Sequence, residues 1–205
     1  MRLWGRTSSI NVRKVLWTLQ AIGVPFERID AGLSFGVVKT PAYLAQNPNA
    51  LVPLLQDGHF VLWESNAIVR YLCMKYAPGS LCPDDLQQRF DAERWMDWQQ
   101  TTLNPAGSPG FKQWIRTPES ERKPEVIAQS VAATEPLLRL LDAHLAQRHF
   151  MAGDALTMAD IPIACEIHRW WGLPQPRPAL QHLERWWDTL RAHPASRGVL
   201  DQPLA

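Results

Sequence analysis

The chain has 205 residues, 46% of them hydrophobic and 20% charged, a composition that supports a sizeable apolar core and excludes a disordered chain. Twenty-one Lys and Arg against 20 Asp and Glu leave a net charge of +1, which excludes bulk electrostatic attraction to nucleic acid or to an acidic membrane.

Arg2–Trp4 reads as a short strand. Val12, Val15, Leu16 and Leu19 follow at i, i+3, i+4 and i+7, one face of a helix that should end near Gly23 and Pro25. Phe26–Asp30 reads as a second strand. A loop, a short helix around Pro41–Gln46 and a strand candidate at Val52–Gln56 come next. Asp57-Gly58 is a hairpin signal leading into Phe60–Trp63. A helix from about Ser65 to Tyr76 carries Ile68, Leu72 and Tyr76 on one stripe. This order is expected to give a small α/β domain that opens with a split βαβ unit.

Two prolines and a glycine in Ala77-Pro-Gly-Ser-Leu-Cys-Pro-Asp-Asp85 mark a seam. Residues 1–77 hold eight Lys/Arg against four Asp/Glu, a balance of +4. Residues 78–205 hold thirteen against sixteen, a balance of −3. The second half contains no convincing strand, only helix candidates at 86–106, 124–147, 158–170 and 179–192. Pro136 should kink the second of these or mark a boundary within it. The expected domains are 1–77 and an all-α 86–205, with 78–85 as linker.

No apolar run approaches a membrane span, and no apolar segment stands behind Met1-Arg2-Leu3-Trp4-Gly5 as a signal peptide requires. Cys73, Cys82 and Cys165 are odd in number and lack CxxC spacing, so neither a disulfide framework nor a metal site is indicated. A reduced, cytoplasmic protein is expected.

Four segments carry more specific information. Thr157-Met-Ala-Asp160 has capping-box spacing at the entrance to an apolar helix, a folding device. Asn47-Pro-Asn-Ala-Leu-Val-Pro53 offers an X-Pro bond that, if cis, leaves the preceding backbone free to pair with an extended ligand. Glu64-Ser65 opens a helix: Ser65 serves as N-cap, or helix end and hydroxyl hold a carboxylate while Glu64 holds an ammonium, together gripping an amino-acid head group. Thr7-Ser-Ser-Ile-Asn11 lies between the first strand and first helix, where a hydroxyl either caps the helix or stabilises a thiolate at its positive end.

Taken in this order, Ser9-Ile-Asn-Val-Arg-Lys14, Asn47-Pro…Val52-Pro53, Glu64-Ser-Asn-Ala-Ile68 and Gly153-Asp-Ala-Leu-Thr-Met-Ala-Asp160 resemble the cytosolic glutathione S-transferase family, in its bacterial serine-type (theta- or zeta-like) form. The resemblance spans essentially the whole chain. It implies a thioredoxin-like α/β N-terminal domain that binds glutathione as co-substrate, an all-α C-terminal helical domain that holds a small hydrophobic electrophile, no metal, and a homodimer. A net-anionic tripeptide also suits the +4 half. By the same resemblance Val52, with Pro53, would pair its backbone with the cysteinyl unit, Glu64 and Ser65 would hold the γ-glutamyl group, and Ser9 would activate the thiol with Asn11 as second donor. The electrophile pocket would draw on Trp98, Asn104, Phe111 and Trp114, with Trp95 beside them, although any one of these aromatics serves equally well as packing. Two departures stand out. Ala50-Leu51 follows Asn-Pro-Asn where relatives often carry Gly or a polar residue, and no cysteine precedes Cys73, which argues against thiol–disulfide chemistry.

Glutathione conjugation is the leading expectation. A zeta-like glutathione-dependent isomerase is weakened by Ile10, which stands where Ser8-Ser9 would be followed by cysteine. A non-catalytic binding module of the same fold is weakened by the intact Glu64-Ser65 pair.

Overall fold

The structure, a computed structural model, describes residues 1–205. Its first half contains strands β1 (Arg2–Trp4), β2 (Glu27–Ile29), β3 (Leu54–Asp57) and β4 (Phe60–Trp63), with helices α1 (Ile10–Ile22), α2 (Pro41–Leu44) and α3 (Ser65–Tyr76). The sheet order is β2-β1-β3-β4. β1 pairs parallel with β2 and antiparallel with β3, with Leu3 opposite both Arg28 and Leu55; β3 pairs antiparallel with β4. This is the thioredoxin-like arrangement. The βαβ unit is not split, however, because β1 and β2 are direct neighbours. The hairpin loop also differs by one position: Asp57 pairs with Phe60, so Gly58 and His59 form the loop, and Gly58 supplies the positive φ of +62 that the tight turn requires.

The helix periodicity was legible because α1 buries Val12, Val15, Leu16 and Leu19, and it ends where Gly23 adopts the left-handed conformation. Less expected is that Val12 through Leu19 are all buried, Arg13 and Lys14 included. The helix packs both against α3 and against helices of the second half.

The second half consists of α4 (Leu86–Trp98), α5 (Asn104–Phe111), α6 (Pro124–Leu145), α7 (Asp160–Trp171) and α8 (Gln181–Ala192). The helix expected to end at 106 instead continues to Arg116, interrupted by π turns at Gln99–Leu103 and Lys112–Arg116. The first widened turn relieves the clash between the Pro105 ring and the carbonyl four residues back, at Thr101, while Pro109 is carried inside α5 itself. Pro136 marks no boundary either, since α6 is one helix through it. One apolar core runs from Leu3 through Trp186 to Leu200 and joins both halves. No helix is long and apolar enough to cross a membrane.

Thr157 and Asp160 bond reciprocally ahead of α7, although the cap position itself falls to Ala159 and carries no side-chain cap bond. Asp160 accepts from the Thr157 backbone N–H at 2.9 Å, while the Thr157 hydroxyl accepts from Ala159 N–H at 3.3 Å. Asp160 goes further than a surface cap. Fully buried, it also accepts from Met151 N–H and Trp186 Nε1, each at 2.9 Å.

Candidate active site

The loop between β1 and α1 is held close to the helix it feeds: a Cβ on Gly5 would lie 2.4 Å from a Val12 methyl. Ser9 occupies the N-cap position in extended conformation, but its side chain makes no cap hydrogen bond. The backbone carbonyl of Ser9 accepts from Arg13 N–H at 2.9 Å. A hydroxyl is thus left free at the positive end of a thirteen-residue helix, the environment that favours a thiolate. Asn11 lies in the first turn beside it. Arg13, one turn further on, donates its Nε–H to Thr7 O at 2.7 Å and so pins the loop that carries Ser8 and Ser9.

The Val52–Pro53 bond is cis. Neither the N–H nor the C=O of Val52 is hydrogen-bonded within the protein, whereas Leu51 O accepts from Tyr43 OH at 2.6 Å and Asn47 Nδ2 at 2.8 Å. The loop is therefore fastened at Leu51 and open at Val52. Ala50 has φ +54, a left-handed conformation in which an alanine costs about 1–2 kcal/mol relative to the usual regions.

At the head of α3 the cap position belongs to Glu64, not to Ser65 as the sequence suggested. Glu64 takes φ +72 and ψ 111, a sparsely populated conformation, and Ser65 becomes the first helical residue. The Glu64 carboxylate is exposed and makes no cap bond, while Ser65 is buried with its hydroxyl unclaimed by the helix. The N–H groups of the first turn have no protein acceptor, which leaves them and the Ser65 hydroxyl as an anion-receiving set with a carboxylate alongside.

Behind this site lies a buried polar network that sequence reasoning missed. Lys14, with no exposed surface, donates its ammonium to Gln99 Oε1 at 2.8 Å and to Asn66 Oδ1 and Gln100 Oε1, each at 3.2 Å. Asn66 in turn donates to Met96 O at 2.7 Å, and Gln99 Nε2 to Glu166 Oε2 at 3.0 Å. Two consecutive glutamines reach one ammonium because both lie on the π turn. Burial holds the Lys14 ammonium down at about 8, with Glu166 pulling it back up. The only signal in the sequence was Asn66 itself, next to Ser65.

Of the aromatic candidates, Phe111 comes nearest the α1 end. With Ser8, Ile10, Arg13, His168 and Leu204 it lines a narrow cavity. Asn104 is engaged instead by Arg169 Nη1 and Ser108 Oγ at 3.0 and 2.9 Å. Trp98 packs edge-on against Trp95, their rings 5.4 Å apart, and Trp114 donates to Gln175 Oε1 at 3.2 Å. A larger, open groove between α7 and α8, lined by Trp171, Arg177, Glu184 and Trp187, touches none of Ser9, Val52 and Glu64. The narrow cavity, about 10 Å³, likewise touches none of these three, although it reaches Ser8 next to Ser9.

Residues 1–73 match the family model described as glutathione S-transferase, N-terminal domain, and residues 99–194 match that of the C-terminal domain. The chain belongs to the glutathione S-transferase family. It is 42% identical to glutathione S-transferase GstB of Escherichia coli K12, with 99% of each chain covered. Among solved structures it is similar to the theta class glutathione S-transferase of Xanthomonas axonopodis pv. citri with glutathione bound, at 44% identity and a TM-score of 0.95, covering 100% of this chain and 98% of the other. Glutathione S-transferase I from maize, in complex with an atrazine glutathione conjugate, is more distant at 25% identity and a TM-score of 0.89, with 97% and 95% covered. The sequence-level assignment to this family and to its two-part architecture therefore holds.

Proposed function

We propose that this glutathione transferase ionises glutathione at the N-terminus of α1 and directs the thiolate at a small hydrophobic electrophile. The observation that carries the reading is the uncommitted Ser9 hydroxyl at a helix N-cap. An ordinary cysteine thiol titrates near 8.5, so only a few per cent is thiolate at pH 7. The protein need not take that proton, which passes to solvent; it need only favour the anion. One charge-assisted hydrogen bond from Ser9, at an already positive helix end, accounts for about one to two pH units, or roughly 1.4–2.7 kcal/mol. Asn11 is the second donor. Val52, shaped by Pro53, offers its free N–H and C=O to the cysteinyl unit. Glu64 pairs with the γ-glutamyl ammonium, and Ser65 with the α3 N–H groups receives its carboxylate. The electrophile meets Phe111 first, with Trp98, Asn104 and Trp114 further along the same helical stretch.

In this reading residues 1–77 bind glutathione, 78–85 link, and 86–205 hold the electrophile. No metal takes part, the setting is cytoplasmic, and two copies pair through exposed apolar side chains on the hairpin and on α3 and α4, including Phe60, Met74 and Phe90. Zeta-like isomerisation and a purely binding role gain no support from a specific residue.

Ultraviolet titration of the bound thiol tests the assignment. Ser9→Ala should raise the midpoint of thiolate formation, cut turnover about ten-fold or more, and leave glutathione affinity nearly intact. A shift in Asn11→Ala alone would transfer the role to Asn11.

A further inference from the structure

Arg13 carries a charge into the interior, one turn into α1, where it is 4% exposed. Its Nε–H goes to Thr7 O at 2.7 Å, and Nη2 donates to Pro203 O at 2.7 Å. Nη1 donates to His168 Nδ1 of α7 at 2.9 Å, with Gln202 O at 3.4 Å from it. Every acceptor is neutral: three carbonyls and an imidazole that burial, and then the charge of Arg13, hold down at about 4. For fastening alone, a buried cation among neutral acceptors is a costly device. What it offers is geometry. A planar fork of five donors reaches three separate segments at fixed angles, whereas an ammonium holds the same charge at one point.

The loop that feeds α1 has little else to hold it. Gly5 is tied to the sheet, its N–H donating to Ile29 O at 2.8 Å and its carbonyl accepting from Arg28 at 2.9 Å. Beyond Gly5 the backbone makes one turn, in which Ser9 N–H donates to Arg6 O at 3.1 Å. Thr7 O, inside that turn, accepts from Arg13 and from no backbone N–H. Thr7 stands two residues before Ser9, so a displaced Thr7 carbonyl swings the Ser9 hydroxyl relative to the helix end. Direction matters there. A hydrogen bond weakens steeply once donor and acceptor leave line, while a charge at the same distance does not.

We propose that Arg13 is a positioning residue for thiol ionisation: by clamping Thr7 O to α7 and to the Gln202–Pro203 stretch, it aims the Ser9 hydroxyl at the glutathione sulfur. The proposal rests on the Ser9 reading above and adds that the second half of the chain helps to set the thiol chemistry of the first. Arg13 takes no part in the proton transfer, which goes to solvent. Its effect is carried by Ser9.

Ultraviolet titration of bound glutathione in the wild type, Ser9→Ala, Arg13→Lys and the double variant tests this. Arg13→Lys keeps the charge and gives up the fork. It should raise the thiol midpoint by about one pH unit and leave glutathione affinity within about two-fold, since Val52, Glu64 and Ser65 lie on other elements. Conjugation of an aryl halide should fall several-fold at pH 7 and recover above the raised midpoint, which a damaged fold would not do. In the Ser9→Ala background Arg13→Lys should add less than about 0.3 unit. A clamp with only a structural role would lower the unfolding midpoint and leave the thiol titration within about 0.3 unit of wild type, overturning the proposal. An equal shift with and without Ser9 would also overturn it, because Arg13 would then act on the sulfur directly. Should Arg13→Lys not fold, His168→Leu decides: losing one anchor of the fork should raise the midpoint by about 0.5 unit, and an unmoved midpoint overturns the proposal. If Ser9→Ala itself leaves the midpoint in place, the Ser9 reading falls and takes this proposal with it.

Discussion

Removing the Asp160 carboxylate should damage this protein far more than the loss of an ordinary helix cap. A solvent-exposed cap is worth about 0.5–2 kcal/mol. Asp160 is fully buried and accepts four hydrogen bonds: Thr157 N–H, Met151 N–H and Trp186 Nε1 at 2.9 Å, and the Thr157 hydroxyl at 3.3 Å. In Asp160→Ala the hydroxyl can rotate to another acceptor, but three N–H donors cannot. Each buried donor left unmatched costs about 1–3 kcal/mol. Burial pushes the Asp160 carboxyl up against the pull of these donors, and losing an expensive buried charge offsets part of the damage. The net expectation is about 3–5 kcal/mol, a large share of the roughly 5–15 kcal/mol that holds a domain folded. Urea unfolding followed by fluorescence should show the midpoint collapse. Asp160→Asn, which keeps one acceptor oxygen, should fall between the two. Per-molecule activity of the folded fraction should survive. A midpoint for Asp160→Ala within about 1 kcal/mol of wild type would refute the reasoning, because the three donors would then have found partners or water at no cost.

Ala50→Gly should stabilise the chain by up to about 1 kcal/mol in urea titration, because φ +54 suits glycine and the relief exceeds the added unfolded-state entropy; a loss would show that the Ala50 methyl packs usefully. His168 is held down at about 4, first by burial and then by the charge of Arg13. The unfolded chain takes up that proton near 6.5 and the folded protein only near 4, so the stabilisation is complete above about 6.5 and is lost as pH falls through that window. His168→Gln should flatten the stability–pH slope there, and an unaltered slope would remove His168 as its source. Light scattering at micromolar concentration should report about twice 23.3 kDa, and the mass of a single chain would refute pairing.

Most of the framework was legible because it rests on local chemistry. Ser65 to Tyr76 was read with both ends correct, since the hairpin ahead of it and Pro78 behind it leave no other choice. The Glu64-Ser65 pair was also legible, but not which of the two caps: the strained backbone of Glu64 follows from how β4 delivers the chain to α3, a tertiary constraint. The run from 106 to Arg116 was missed because Pro109 reads as a helix stop, and a π turn has no composition of its own. The burial of Arg13 and Lys14 was illegible for a deeper reason. Charged residues on an amphipathic helix read as its solvent face, and only the docking of α7 onto α1 turns that face into an interior.

That docking explains why the site needs the second half of the chain. The apolar core is continuous across both halves, and apolar contacts alone tolerate sliding because they have no direction. Hydrogen bonds from Lys14 and Asn66 do have direction. Lys14 fixes α1 against the π turn at Gln99–Gln100, and Asn66 fixes the head of α3 against Met96. Five residues N-terminal to Lys14 is Ser9, and immediately N-terminal to Asn66 are Ser65 and Glu64. The two helix ends that, on the function proposed above, meet one tripeptide are thus tied to a single anchor on the same stretch of helix. A buried ammonium is a poor source of net stability, since its desolvation consumes much of what its contacts return. Its three amide acceptors, and Glu166 one amide away, are the arrangement under which such a charge can be kept. Registry between the helix ends is what the arrangement delivers in exchange.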